Sequence, residues 1–473
     1  MLSTVTRSKR AGRTRFRRVP VELDRPQDRL DYMDEATFLS YRASGRVQVM
    51  LALWFYEGPV DLDGLRRFHA NFGKGLVARH IERSPLPFGR ARWVAAPAVE
   101  RPLDIGESVR PRSELSDWIE ERSQIPIDPE HGPGWHLGVQ AFSDGSTGVA
   151  MALSHCLIDG SGAVGAFVDA AVGNTRDLGY AQPGSRTRWD AIRGDFRQTV
   201  RDLPEAGRAV VSAVKLAYRR RHEMSKSADI RPAVTGGAAA DEYMMLPFAG
   251  THIDVEQWDA LAAKLGGNGY SLAAAFAARL GVRMGRQRAD TGEVSLMVSI
   301  NERTSLDDTR ANAMSFTNLT VDPTNAATDL TEVRGALRTA LKNAKDEPNE
   351  AFVLLPLTPF IPRRAVDRTA DLVLGDMPVT CSNFSDMPPL MCRLDGVNQA
   401  TFLNCWGVEQ RVKRSDIERP GGLLVVASGR YNGRLNLGIV GYEVGADNSR
   451  AALREHVKQT LDEFGLTPLT AVY

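Results

Sequence analysis

The sequence predicts a mixed α/β protein (α+β in arrangement) built as two lobes, each a mixed sheet with helices. Three observations carry that prediction. The chain has 473 residues with 43% hydrophobic content, enough for two substantial cores. Strand and helix patterns mix along it without the strict alternation that builds one doubly wound parallel sheet. Between Leu178 and Ala240 the composition turns charged and turn-rich, from Pro183-Gly184-Ser185 to Gly236-Gly237-Ala238-Ala239-Ala240, as a connection between packed units would. The expected organisation is a basic flexible arm over 1–29, an N-terminal lobe over 30–177, an inter-lobe linker with a basic helix over 178–240, and a C-terminal lobe over 241–473.

Taken in order, the arm holds Arg7, Lys9, Arg10, Arg13, Arg15, Arg17 and Arg18 with no acidic residue before Glu22. No apolar stretch follows it, so it is not a signal peptide. It reads as a solvated arm, or as an electrostatic attachment to anionic lipid. Val47 to Tyr56 reads as a strand that exits at Glu57-Gly58-Pro59. A helix is expected from about Asp61, with Leu65, Phe68, Phe72, Leu76, Val77 and Ile81 on one face, broken by Ser84-Pro85-Leu86-Pro87. A strand around His136 to Phe142 should hairpin through Ser143-Asp144-Gly145 into the apolar run Gly148 to Leu153. His69, His80 and His136 are read as packing residues, with His136 the nearest to a site.

Beyond that hairpin, Val210, Val211, Val214 and Leu216 give a helical pattern that closes on Arg219-Arg220-Arg221-His222. In the second half, Ser271 should precede a helix carrying Leu272, Phe276 and Leu280, and Val294 to Ile300 should be a buried strand leading to Asn301 and Arg303. Asn432-Gly433 predicts a tight hairpin. Leu453, Val457, Leu461 and Phe464 predict a last helix stopped by Gly465.

The chemistry concentrates in Leu153-Ser154-His155-Cys156-Leu157-Ile158-Asp159-Gly160, where a strand ends at a tight turn. Ser161 is expected to cap the following helix, whose apolar residues are Val164, Phe167, Val168, Ala171 and Val172. An imidazole held there can accept a proton near neutrality, since its unperturbed pKa is about 6.5. Asp159 is read as holding the turn rather than reacting. Other classes lack their parts: no G-x-S-x-G elbow, no G-x-x-x-x-G-K-[ST] and no H-E-x-x-H occur. Net charge is +1, so nothing in the total points to nucleic acid. Cys156, Cys381, Cys392 and Cys405 show neither zinc spacing nor a disulfide framework, which fits a reducing cytosol. No run of eighteen apolar residues predicts a membrane span.

H-x-x-x-D-G at a strand-to-helix turn resembles the motif of the chloramphenicol acetyltransferase and condensation-domain superfamily of acyl transferases. The chain is most similar to its bacterial wax ester synthase/diacylglycerol acyltransferase branch, from about Leu30 to the C-terminus. The matching segments are Leu30-Asp31-Tyr32-Met33-Asp34, Phe55-Tyr56-Glu57-Gly58-Pro59, Pro133-Gly134-Trp135, Ser299-Ile300-Asn301-Glu302-Arg303, Thr380-Cys381-Ser382-Asn383 and Tyr431-Asn432-Gly433-Arg434-Leu435. Two departures stand out. Ser154 occupies the position of a first histidine, and Asn383 is followed by Phe384-Ser385-Asp386-Met387-Pro388 instead of Val-Pro-Gly-Pro.

The resemblance implies two chloramphenicol-acetyltransferase-like lobes with an active-site tunnel between them and His155 midway along it. It implies His155 as general base, Gly160 N–H and the Asn383 region as oxyanion donors, Ser154 and Asn383 among the substrate contacts, and an ion pair between Asp159 and Arg303. The implied reaction takes an acyl thioester, acyl-CoA first, as co-substrate, with no bound cofactor and no metal. The acceptor would be a lipid alcohol such as diacylglycerol or a long-chain alcohol. The protein would be cytoplasmic, with peripheral contact to anionic membrane as an extension. The alternatives are a condensation-type enzyme using an amine acceptor or a carrier-protein thioester, and a degenerate binding homologue without activity.

Overall fold

A computed structural model describes residues 28–97, 101–220, 242–305, 307–346, 350–366 and 378–473. The basic arm up to residue 27, Arg221-His222 and the Gly236–Ala240 joint lie outside them. In the first half the elements are α1 (Tyr32–Ser44), β1 (Val47–Tyr56), α2 (Leu62–Phe72), β2 (Arg79–Glu82), β3 (Arg92–Ala95), β4 (Asp104–Ile105), α3 (Leu115–Ser123), β5 (Trp135–Ala141), β6 (Thr147–Ser154), α4 (Gly160–Val172) and α5 (Arg188–Arg220). The second half adds β7 (Tyr243–Met244), β8 (Phe248–Asp254), α6 (Val255–Lys264), α7 (Gly269–Arg283), β9 (Val294–Asn301), β10 (Met314–Val321), α8 (Thr331–Asp346), α9 (Glu350–Val353), β11 (Val379–Asp386), β12 (Phe402–Gln410), β13 (Val412–Lys413), α10 (Arg414–Glu418), β14 (Leu423–Tyr431), β15 (Arg434–Tyr442) and α11 (Arg450–Glu463).

Two mixed sheets result, one of five strands ordered β12-β1-β6-β5-β4 and one of six ordered β10-β9-β11-β14-β15-β8. β1 is apolar at nearly every position because both faces of its sheet are covered. Val49, Leu51, Leu53 and Phe55 join one core, while Ala52, Trp54 and Tyr56 pack with Leu65, Phe68 and Phe72 of α2 and Phe167 of α4. In the second lobe α7 is buried all round, with Leu272 through Ala278 at most 1% exposed. Its alanines let it lie close against the sheet.

The expected hairpins form. β5 and β6 pair antiparallel across Ser143–Gly145, and Asn432 and Gly433 both take positive φ, 43° and 72°, between β14 and β15. Other expectations are corrected. The helix from Asp61 ends at Phe72 rather than running on to Ile81, because Gly73 and Gly75 break it and Ile81 pairs with Trp93 across β2 and β3. Asp159, not Ser161, caps α4, its carboxylate accepting the Gly162 N–H at 2.6 Å. Asn268 caps α7, and Ser271 returns the bond to the Asn268 N–H at 2.8 Å, completing a capping box. α5 begins at Arg188, well before the valine pattern. It is docked on the first lobe through Asp195, which bonds Arg186 at 2.7 Å and also Arg29, and through Asp202, 3.0 Å from Arg90.

The second half is not confined to its own sheet. β12 returns to the first lobe and pairs antiparallel with β1 from Val47 to Phe55, closing an edge that would otherwise be exposed. It also fastens the lobes together: Trp406 Nε1 donates to Ala249 O of β8 at 2.7 Å, and His252 Nε2 of β8 lies 3.0 Å from Leu403 O. Burial pushes the His252 pKa down to about 4, so it is neutral in the fold. A depressed histidine pKa stabilises the fold above about pH 6.5, and that contribution is lost as pH falls toward 4. Wild type should therefore lose up to about 3 kcal/mol through this group between pH 7 and pH 4. In His252→Gln this part of the slope should vanish in denaturant titrations at the two pH values; an unchanged slope would remove His252 from the account.

Candidate active site

β6 carries the chain to Ser154, where a turn closes with the Leu157 N–H donating to Ser154 O at 3.0 Å. The His155 N–H donates to Gln48 O of β1 at 2.9 Å, so the backbone on both sides of the imidazole is fixed. Its side chain is half-buried. His155 Nδ1 lies 2.8 Å from Asn312 Oδ1. The Asn312 amide NH2 donates to Asp34 Oδ1 and to His155 O, both at 3.2 Å, which turns its oxygen toward the ring. An oxygen can only accept, so Nδ1 carries a proton toward Asn312, and in the neutral ring Nε2 is then the acceptor. That is the tautomer a general base needs.

Asp34 stands behind this arrangement. Fully buried in α1, it accepts N–H bonds from Ala311 at 3.1 Å and Asn312 at 2.7 Å. Burial pushes its carboxyl above the ordinary carboxylate range, opposed chiefly by the Arg79 guanidinium. Arg79 is itself buried, bonds Leu157 O at 2.7 Å, and stacks over the Trp93 ring at 4.1 Å. Neither Asp34 nor Asn312 is marked by residue type or spacing around the motif. Asp34 could have been found only through the Leu30–Asp34 likeness. Asn312 lies nine residues beyond Arg303, in the loop between β9 and β10, with no local signal of its own.

Asp159 is 2% exposed and satisfied on both oxygens. Oδ1 accepts the Gly162 N–H, and Oδ2 accepts the Ala313 N–H at 2.7 Å and Arg303 Nη2 at 3.1 Å. Arg303 also donates to Arg310 O at 3.0 Å, while the Asp159 N–H donates to Ala311 O at 2.7 Å. The loop from Glu302 to Ala313 thus wraps the His155 turn and ties it to the second lobe. The geometry gives Asp159 a scaffold role, because every bond it makes points into protein.

Ser154 lies inside the turn. It is fully buried, and its hydroxyl accepts the Cys156 N–H at 3.3 Å, so the side chain supports the turn. Cys156, beside His155, is 2% exposed, and burial pushes its thiol up to about 12, which disqualifies it as a nucleophile. His136 is not brought to the site: its Nε2 lies 3.2 Å from Asp104 Oδ2 near the sheet edge, and burial holds its pKa down to about 4. His69 packs against Trp135 at 4.8 Å.

Gly160 opens α4 beneath the Phe384 ring. A Cβ at Gly160 would sit 2.3 Å from Phe384 Cε1, so only glycine permits this contact between the motif and the end of β11. Asn383, just before Phe384, accepts the Ser385 N–H on Oδ1 at 2.7 Å, so its NH2 is the part of the amide left to donate. Ser385 takes φ 56° at the bulge where β11 leaves β14. The departure after Asn383 therefore places an aromatic ring against the motif's glycine.

No family model and no curated protein sequence matches this chain. Solved structures do match. A nonribosomal peptide synthetase, FmoA3, is 17% identical with TM-score 0.55; the match covers 94% of this chain and spans 45% of the synthetase's length. The first condensation domain of the calcium-dependent antibiotic synthetase is 15% identical over 94% of this chain and 99% of that one, with TM-score 0.53. The wax ester synthase/diacylglycerol acyltransferase from Marinobacter aquaeolei VT8 is 14% identical over 92% and 98%, with TM-score 0.53. The chain therefore has the two-lobed condensation-domain fold, and at these identities the likeness speaks to the fold alone.

Proposed function

We propose that this chain is an acyltransferase that moves a fatty acyl group from an acyl thioester, acyl-CoA first, to a hydroxyl of a lipid acceptor such as diacylglycerol or a long-chain alcohol. The observation that supports the reading is the Asp34–Asn312–His155 chain, which leaves His155 Nε2 as an acceptor at the end of a rigid strand. In the proposed reaction Nε2 takes the hydroxyl proton while the oxygen attacks the thioester carbonyl. The tetrahedral oxyanion then collapses, the C–S bond breaks, and the imidazolium returns the proton to the leaving thiolate. The products are an ester and a free thiol. The backbone N–H of Gly160 and the NH2 of Asn383 are the donors assigned to the oxyanion. No step draws on a bound cofactor or a metal.

A second reading keeps the base and changes the acceptor to an amine, or the donor to a carrier-protein thioester; the likeness to condensation domains favours it. Thiol release from acyl-CoA, followed with alcohols and amines side by side and repeated with acyl carrier protein as donor, separates the two. Faster release with long-chain alcohols supports the ester synthase, and faster release with amines replaces it. No release with any pair would turn the reading to a binding protein.

Peripheral contact with anionic membrane belongs to the same proposal, since the acceptor would be a lipid. Among the described residues no helix is long and apolar enough to cross a membrane.

A further inference from the structure

Helix α5 is packed by its carboxylates and small residues and turns its large apolar residues to solvent. On the packed side lie Asp195, Asp202, Ala191, Ala206 and Ala209. On the outward side Trp189, Phe196, Val200, Leu203, Val210 and Val214 are each 48% to 75% exposed. Their spacing of three, four or seven residues puts them on one stripe of a helix about 50 Å long. Trp189 is the one exposed tryptophan of the chain's seven.

Along one margin of this stripe run Arg193, Arg197, Arg201, Arg208 and Lys215, all exposed and without an ion pair among the described residues. Asp190, on the same margin, is bonded to Thr187 Oγ1 at 2.6 Å, and Glu205 lies further round, against Tyr32. A stripe of this kind asks for an apolar cover, and its margin asks for negative charge. A second copy of the chain would bring the first and oppose the second, since its own cations would meet these. An anionic bilayer supplies both: an acyl boundary for the stripe, headgroups for the arginines, and an interfacial depth that suits tryptophan.

We propose that α5 is the surface by which the protein lies on an anionic membrane, with the stripe in the acyl boundary and the basic margin at the headgroups. The inference rests on the membrane contact proposed above and deepens it by naming the surface that makes it, and binding is read here without turnover. Its failure and the failure of the acyl-transfer reading are therefore separate results.

The test is flotation of the full chain with vesicles of phosphatidylglycerol and phosphatidylcholine in equal parts, against phosphatidylcholine alone. Binding should be at least about tenfold stronger to the anionic vesicles and fall with added salt. A blue shift of Trp189 emission, absent in Trp189→Phe, should accompany it. Arg197→Gln, Arg201→Gln and Arg208→Gln should each weaken binding about fivefold. Val200→Ser with Val214→Ser should weaken it further while leaving the circular dichroism spectrum unchanged.

Three outcomes would overturn the proposal. Trp189 shielded from acrylamide in the lipid-free monomer would mean that the chain's own segments cover the stripe. A concentration-dependent dimer that protects Trp189 would assign the stripe to a second copy. Vesicle binding that survives the arginine and valine changes but is lost on removing residues 1–27 would assign attachment to the basic arm.

Discussion

His155→Ala is expected to lower acyl transfer by about 10²–10⁴-fold, the usual contribution of a positioned general base, while the protein stays folded. The side chain is half-buried at the end of a turn whose backbone bonds do not depend on it. Ser154→Ala should be far milder, because the hydroxyl only braces the Cys156 N–H. Asn312→Leu tests the positioning of the ring. It removes the acceptor of Nδ1, so kcat should fall by about 10–100-fold with little change in KM, in line with the loss of other orienting partners of histidine. The check is steady-state thiol release across pH. Near-native turnover in His155→Ala would show that the base lies elsewhere.

The second large effect is expected at the ion pair between the lobes. Asp159→Asn keeps one accepting oxygen but sets an NH2 where the Ala313 N–H and Arg303 now donate, or where the Gly162 N–H does. Arg303→Gln leaves the buried carboxylate without its cation. Each change should cost about 3–5 kcal/mol in denaturant unfolding, with turnover falling alongside, since the same loop carries Asn312. The double variant should cost less than the sum, because the asparagine relieves the charge that loss of the arginine would strand. Losses under about 0.5 kcal/mol for both single variants would mean that the pair does not hold the turn to the second lobe.

Much of the local structure was legible in the sequence. The apolar run that ends at Leu153 marks β6, Asn432-Gly433 marks a hairpin, and Leu453, Val457 and Leu461 mark the face that α11 buries. Each is a short-range signal, set by side-chain period or by the φ a turn requires. The errors were also local. Leu76 and Val77 of the turn and Ile81 of β2 continue the helical period of α2, so periodicity overruns the helix, and Asp159 and Ser161 are both capping residue types at the start of α4, so residue type does not choose between them.

The sequence by itself determined the two-lobed mixed architecture, the strand-to-helix turn that presents His155, and the reading of Asp159 as scaffold. Tertiary structure alone decided who stands around that turn. Asp34, Arg79 and the loop that carries both Arg303 and Asn312 come from three separate segments, and β12 reaches the first sheet from the far half of the chain. It alone also placed the apolar stripe of α5 in solvent. Periodicity records which residues share a face and does not say what that face meets. Here the packed face is held by Asp195 on Arg29 and Asp202 on Arg90, both distant in sequence, and those pairings exist only once the chain has folded.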